Sequence, residues 1–229
     1  MKIKFVAFIG AVVLMLSALT TSLMAFSFGV GGSFGGTHIE VEGTETLKTS
    51  NATQAAKEDA QAPLGSAYAQ IIVGEGYFGE GNGFALGYEH IFGEGSKKQR
   101  AEGVIDLHAA DAQTVGTQYA EVVFKNLNNI FLETPGFTVL GIYLKAGWAD
   151  MDIVTKEDLV TGGSWGDAST DGPVYGFGFK KSAGGFQVKT EFNYTDWDKI
   201  SLSSSSDTSS TIDATPEQWS VKLGVGYNF

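Results

Sequence analysis

The sequence predicts an all-β fold, an eight-stranded antiparallel up-and-down transmembrane β-barrel with long outer loops and short periplasmic turns. Three observations predict it. Residues 219–229 alternate without exception: Trp219, Val221, Leu223, Val225, Tyr227 and Phe229 share one face, and Ser220, Lys222, Gly224, Gly226 and Asn228 share the other. Period two is the period of a strand, and this length suffices for a tilted strand to cross a bilayer. Other segments show the same alternation, and the connections between them run long, short, long, short, long, short, long. Finally, glycine is abundant at 31, proline is scarce at 4, aromatics reach 12%, and the 43% apolar content forms no long block past the N-terminus. That mixture suits a barrel with lipid outside and a crowded interior.

Residues 1–25 read as a secretory signal peptide that is cleaved off. Lys2 and Lys4 give a positive start, residues 5–16 are apolar apart from Gly10, and 17–25 are mostly small. Cleavage is placed after Ala25, with Ser22 as an alternative site. Residues 26–229 then form the barrel, a mature chain of 229 − 25 = 204 residues. Without Lys2 and Lys4, 15 − 2 = 13 basic residues face 26 acidic ones, a net charge of −13. Nucleic acid is thereby excluded as a partner. With no cysteine there is no disulfide framework, thiol nucleophile or thiolate metal site.

The elements follow in order. Strand one, 26–34, sets Phe26, Phe28, Val30 and Phe34 against Ser27, Gly29, Gly31 and Ser33. Residues 35–63 are too long and polar for a turn. Their Ala-rich part, 51–62, suits either a short loop helix or a disordered loop. Strand two, 66–76, points Tyr68, Gln70 and Ile72 inward. Residues 77–82 form a tight Gly-rich connection. Strand three, 84–92, faces Phe84, Leu86, Tyr88 and Phe92 outward and Gly87 and Glu89 inward. Within the polar stretch 93–115, the patch 104–108 is a loop or a strand extension above the membrane. Counting it as a membrane strand would make nine, against the even numbers of bacterial single-chain barrels.

Strand four, 116–126, is expected to turn Ala120, Val122 and Phe124 to lipid and Tyr119, Glu121 and Lys125 inward, with 127–136 as the connection to strand five, 137–153. There Leu140, Ile142, Leu144, Ala146 and Trp148 face out, and Gly141, Tyr143, Lys145 and Gly147 face in. Residues 154–172 form a loop. Strand six, 174–181, carries Tyr175, Phe177 and Phe179 outward and Lys180 inward. After the turn 182–185, strand seven, 186–197, alternates Phe186, Val188, Thr190, Phe192 and Tyr194 with Gln187, Lys189, Glu191 and Asn193. Residues 198–216 form the last loop, and strand eight closes the chain.

The opening F-S-F-G-V-G-G and the terminal V-K-L-G-V-G-Y-N-F resemble the OmpA-like family of small outer-membrane β-barrels, the outer-membrane beta-barrel protein domain. The resemblance covers 26–229. It implies the outer membrane of a Gram-negative bacterium, outer-membrane lipid as solvent, and recognition by the barrel assembly machinery through the last strand. The assembly signal falls on Val221, Leu223, Val225, Tyr227 and Phe229. OmpA itself carries a peptidoglycan-binding domain after its barrel; this chain stops at the last strand, so wall anchoring is not implied.

Charge facing lipid costs about 2–4 kcal/mol for Lys at the midplane. Lys125, Lys145, Lys180, Lys189 and Lys222 are therefore assigned to the lumen, with Glu89, Glu121 and Glu191. A barrel of about eight strands is only wide enough for side chains to fill it, so a plug of ion pairs is expected ahead of a narrow pore. Trp148, Tyr194 and Trp219 are assigned to the outer aromatic girdle, and Phe84, Tyr227 and Phe229 to the periplasmic one. The G-x-G-x-x-G match at 74–79 precedes a strand, whereas the dinucleotide fingerprint opens a helix; it reads as turn glycines. His38 and His108 read as solvated residues in or near outer loops, and His90, on a strand but outside its parity, as lying near an interface. The expectation is a non-enzymatic, cofactor-free and metal-free barrel with a structural or surface-interaction role in envelope integrity or adhesion, an extracellular ligand being met at the loops. A porin-like passive pore is the alternative, and a rim enzyme acting on lipid or peptide the third reading.

Overall fold

The computed structural model describes residues 26–47, 53–93, 95–106, 113–158, 164–205 and 210–229. The signal-peptide assignment, 1–25, lies outside them, as does His108. Among the described residues there are ten strands and one short helix: β1 (Phe26–Leu47), β2 (Thr53–Val73), α1 (Glu75–Phe78), β3 (Phe84–Phe92), β4 (Gly95–Asp106), β5 (Gln113–Glu133), β6 (Ile142–Asp158), β7 (Ala168–Ala183), β8 (Phe186–Asp196), β9 (Ile200–Ser203) and β10 (Ser210–Asn228). Eight of them form the antiparallel ring β1-β2-β3-β5-β6-β7-β8-β10, which β1 closes by pairing with β10 from Gly29↔Asn228 to Leu47↔Ser210. Closure leaves no edge among the membrane strands, each of which has a hydrogen-bonded neighbour on both sides.

Outside, the alternation gives a continuous apolar belt. Phe28, Val30, Phe177, Phe192, Val188 and Leu223 are among its exposed members. Only about 9–11 residues of a strand are needed to cross the hydrocarbon, yet β1 has 22 and β2 has 21. The surplus lies at one end, where the β1–β2, β6–β7 and β8–β10 hairpins stand beyond the belt. The opposite end carries the short connections, including the turn at Gly184 and Gly185 between β7 and β8.

Several expected loops are strands. Residues 53–62 form neither a helix nor an irregular loop: they ladder with β1 through Thr46↔Thr53. Alanine's helix propensity is worth only tenths of a kcal/mol per residue, and a continuous hydrogen-bonded hairpin overrides it. Here Ala56 and Ala60 sit opposite Gly43 and Ile39, where small side chains fit the inside of the ring. β4 is the strand extension allowed for the 93–115 stretch. β3 breaks at Gly93 (φ 114°), and β4 resumes along the same neighbour: Ile91 pairs with Leu127 and Gly95 with Phe124. β6 and β7 likewise reach into the expected 154–172 loop. Strand five begins later than expected, because Phe137 and Ile142 bridge across a turn that contains Leu140.

Candidate functional site

The interior of the belt region is filled by charge. Glu89 from β3, Glu133 from β5, Lys145 from β6, Lys180 from β7, Lys189 and Glu191 from β8 and Lys222 from β10 are all buried. They interlock. Glu191 takes Lys145 at 3.1 Å, Lys189 at 3.4 Å and Lys222 at 3.2 Å, and accepts a 2.9 Å hydrogen bond from the Tyr143 hydroxyl. Glu89 takes Lys222 at 2.5 Å and Lys145 at 3.3 Å, and Ser66 donates to it at 2.7 Å. Glu133 takes Lys189 at 2.9 Å and Lys180 at 3.8 Å, and Lys180 also donates to the Thr134 carbonyl at 2.8 Å.

Aromatic rings complete the filling. The Lys145 ammonium lies 4.2 Å from the Phe131 ring centre, and that of Lys189 lies 4.1 Å from Tyr68. These cation–π contacts add to the ion pairs in a desolvated setting. Glycine makes room for the rings: a Cβ at Gly87 would run into Phe131, and one at Gly31 or Gly226 into Tyr68.

Of the residues assigned to the lumen from sequence, the structure brings together Lys145, Lys180, Lys189, Lys222, Glu89 and Glu191. Glu121 and Lys125 are corrections. Both lie away from the cluster, opposite Lys156 and Asp152 of β6. The cause is a β-bulge: the β5–β6 register shifts between Lys125 and Asn128, and Asn126 adopts φ 54°. A bulge puts extra residues on one strand and reverses the facing of everything beyond it. Asn129, Phe131 and Glu133 therefore point in on one side of it. Beyond it Phe124 and Val122 point in, not out as expected, and pack with Ile39, Met151, Ile153 and Trp197. Glu133 and Phe131 are not among the expected lumen residues because 127–136 has the polarity of a connection. The alternation of Asn129, Phe131 and Glu133 with Ile130 and Leu132 was the available signal.

Past the charged layer, toward the long hairpins, the interior turns apolar. Ile39, Phe124, Met151, Ile153, Trp197 and Ile200 form a buried floor. Beyond it lies a cavity of about 430 Å³, walled by Val41, Val122, Leu202, Ile212 and Ala214.

The aromatics assigned to interfaces occupy the two rims of the belt. On the hairpin side, Tyr194 and Trp219 have ring centres 4.5 Å apart, and the Trp148 indole N–H donates to Asp171 at 2.9 Å. On the short-turn side Tyr227 packs on Phe186 and Phe229, each at 5.1 Å, and Phe84 meets Phe78 at 5.9 Å. Val221, Leu223 and Val225 lie between the rims on the exposed face of β10. His90 belongs to a small outer cluster, its Nδ1–H donating at 2.7 Å to the Asn128 amide oxygen, which also accepts from Tyr88.

No family model and no curated protein matches the chain. Among solved structures it is similar to Ail, the attachment invasion locus protein of Yersinia pestis, in complex with the heparin analogue sucrose octasulfate, with 10% identity and a TM-score of 0.38 over 88% of this chain and 99% of that one. It is similar to Neisserial surface protein A with 12% identity and a TM-score of 0.36 over 90% and 99%. The secretin InvG of the Salmonella SPI-1 injectisome aligns with 11% identity and a TM-score of 0.21 over 99% and 66%. Likeness at this level carries no functional information. The chain's own geometry defines its architecture: an eight-stranded antiparallel β-barrel, closed between its first and last strands, with an apolar belt outside and a charged plug within.

Proposed function

We propose that this protein is an integral outer-membrane barrel with an occluded lumen, whose role is structural or surface interaction: envelope integrity, or adhesion through the long hairpins. Outer-membrane lipid surrounds the belt, and the barrel assembly machinery reads the C-terminal strand. The plug is the observation that carries this reading. Seven charged side chains buried at belt level are ion-paired with one another rather than ranged along an open bore. A solute path through them requires stripping partners from buried charge, at a cost of several kcal/mol.

What remains for function is the surface beyond the belt, where β1 and β2 alone present a hairpin with Lys57 bridging Glu40 and Glu42 at 2.6 and 3.0 Å. Reconstitution into planar bilayers tests the reading. The expected result is no steady conductance from wild type, with binding to host or envelope surfaces lost when the hairpin tips are shortened and the barrel is kept. Reproducible open channels, with ion selectivity that changes in Glu191→Gln, would overturn it in favour of a porin-like pore.

A further inference from the structure

The plug and the apolar floor make no use of the connection between β5 and β6, at the short-turn end. It reads Phe137, Thr138, Val139, Leu140, Gly141. A tight connection that ends in water is built from polar and turn-forming residues, yet Val139 is 86% exposed, Leu140 63% and Phe137 48%. The backbone holds them there. Phe137 and Ile142 bridge, the Gly141 N–H donates to the Thr138 carbonyl at 3.1 Å, and the Lys180 backbone N–H donates to the Gly141 carbonyl at 2.9 Å. Thr138 sits at φ 68°, a left-handed conformation that a β-branched residue adopts only where its surroundings impose it.

Two adjacent lysines of β7 grip this turn from the two faces of the wall. Lys180, inside, donates to the Thr134 carbonyl at 2.8 Å. Lys181, outside, donates from its ammonium to the Val139 carbonyl. Lys181 lies directly opposite the belt residue Val188, and opposite residues share a face, so it stands on the lipid-facing side, where it is exposed. The cost of a lysine on that face falls toward the interfaces, and its stem lets the ammonium reach headgroup level. An ammonium has three donors, of which the Val139 carbonyl engages one. Ile142 and Phe179, opposite each other, carry the lipid-facing surface to the turn without a break.

We propose that this turn and Lys181 form a docking site for one phospholipid of the leaflet on the short-turn side, with Val139 and Leu140 against its acyl chains and its phosphate on the Lys181 ammonium. An apolar tip alone would suit a protein partner equally. Continuity with the belt and a cation fixed to the tip's own backbone assign it to a lipid phosphate. The inference rests on the membrane reading of the belt and adds to it one fixed lipid position.

The chain has no cysteine, so single labels are unambiguous. Val139→Cys, and Ile71→Cys on the lipid-facing side of β2 across the ring, carry a small fluorophore. The labelled barrels are reconstituted in vesicles that mix phosphatidylglycerol with phosphatidylcholine, one or the other brominated on its chains. Both labels should be quenched. At Val139 phosphatidylglycerol should associate about fivefold more strongly than phosphatidylcholine, the effect of one lysine near an anionic surface, and at Ile71 the ratio should be near one. Lys181→Gln should bring the Val139 ratio to one, with heat-modifiable gel mobility reporting that the barrel is folded. Should that variant misfold, high salt applied to the Val139→Cys protein serves instead, because screening removes the preference. A Val139 label that stays in water while the Ile71 label is quenched would overturn the proposal and leave the membrane placement standing; two unquenched labels would overturn both. A Val139 ratio of one in the presence of Lys181, or a preference that survives Lys181→Gln or high salt, would also overturn it.

Discussion

Glu191 is the residue on which the plug depends most. Its side chain is 3% exposed and meets Lys145, Lys189 and Lys222 between 3.1 and 3.4 Å. At an effective dielectric of about 20, one such pair is worth roughly 5 kcal/mol of Coulomb attraction, and desolvation of the charges cancels much of it. In Glu191→Gln the amide keeps the shape and can still accept from Tyr143, but the cluster is left with four lysines against two glutamates. Breaking a buried pair in this way costs about 3–5 kcal/mol.

Urea unfolding from lipid vesicles, followed by tryptophan fluorescence and by gel mobility with and without heating, measures the loss. Lys57→Gln serves as the control: its ion pairs with Glu40 and Glu42 are exposed, and pairs of that kind contribute little. Adding Lys222→Met to Glu191→Gln removes a stranded cation and should recover part of the loss. A loss below about 1 kcal/mol for Glu191→Gln would refute the reasoning, because it would mean that water solvates the freed lysines and that the interior is not a dry plug.

Three other outcomes are expected. Asn126→Val should destabilise the barrel by about 1–3 kcal/mol, since a β-branched residue is strained at φ 54°, while Asn126→Gly should be nearly neutral in the same unfolding assay. Lipids carrying quenchers at headgroup depth should quench Trp219 and Trp148, each measured with the other tryptophans replaced; quenching only by deep-chain probes would contradict their placement at the hairpin-side rim. Deletion of Phe229 should lower the yield of heat-modifiable, folded protein in the outer membrane, and an unchanged yield would remove the assembly role from this end of the chain.

The sequence by itself determined the ring. An interior that differs from the exterior imposes period two on each strand, and 26–34, 66–73, 84–92, 174–181, 186–196 and 219–228 carry it with few exceptions, such as His90 and Lys181. That was enough to count the strands, to set the side of Tyr68, Glu89, Lys145, Lys180, Lys189, Glu191 and Lys222, and to find both aromatic rims. The length of the strands was not legible. Beyond the belt both faces of a hairpin are wet or partly wet, so residues 35–47 and 53–65 lose the contrast between faces and read as loop, although their backbone ladder continues.

The tertiary structure alone decided β5. Parity counting assumes an unbroken pleat, and the bulge at Asn126 turns Val122 and Phe124 inward and moves Glu121 and Lys125 off the lumen. No local signal separates an Asn in a turn from an Asn in a bulge. The same holds for the apolar floor and the cavity above it. They join Ile39, Phe124, Ile153, Trp197 and Ile200 from five strands and connections far apart in sequence, and only ring closure, with its register, brings those side chains to one level.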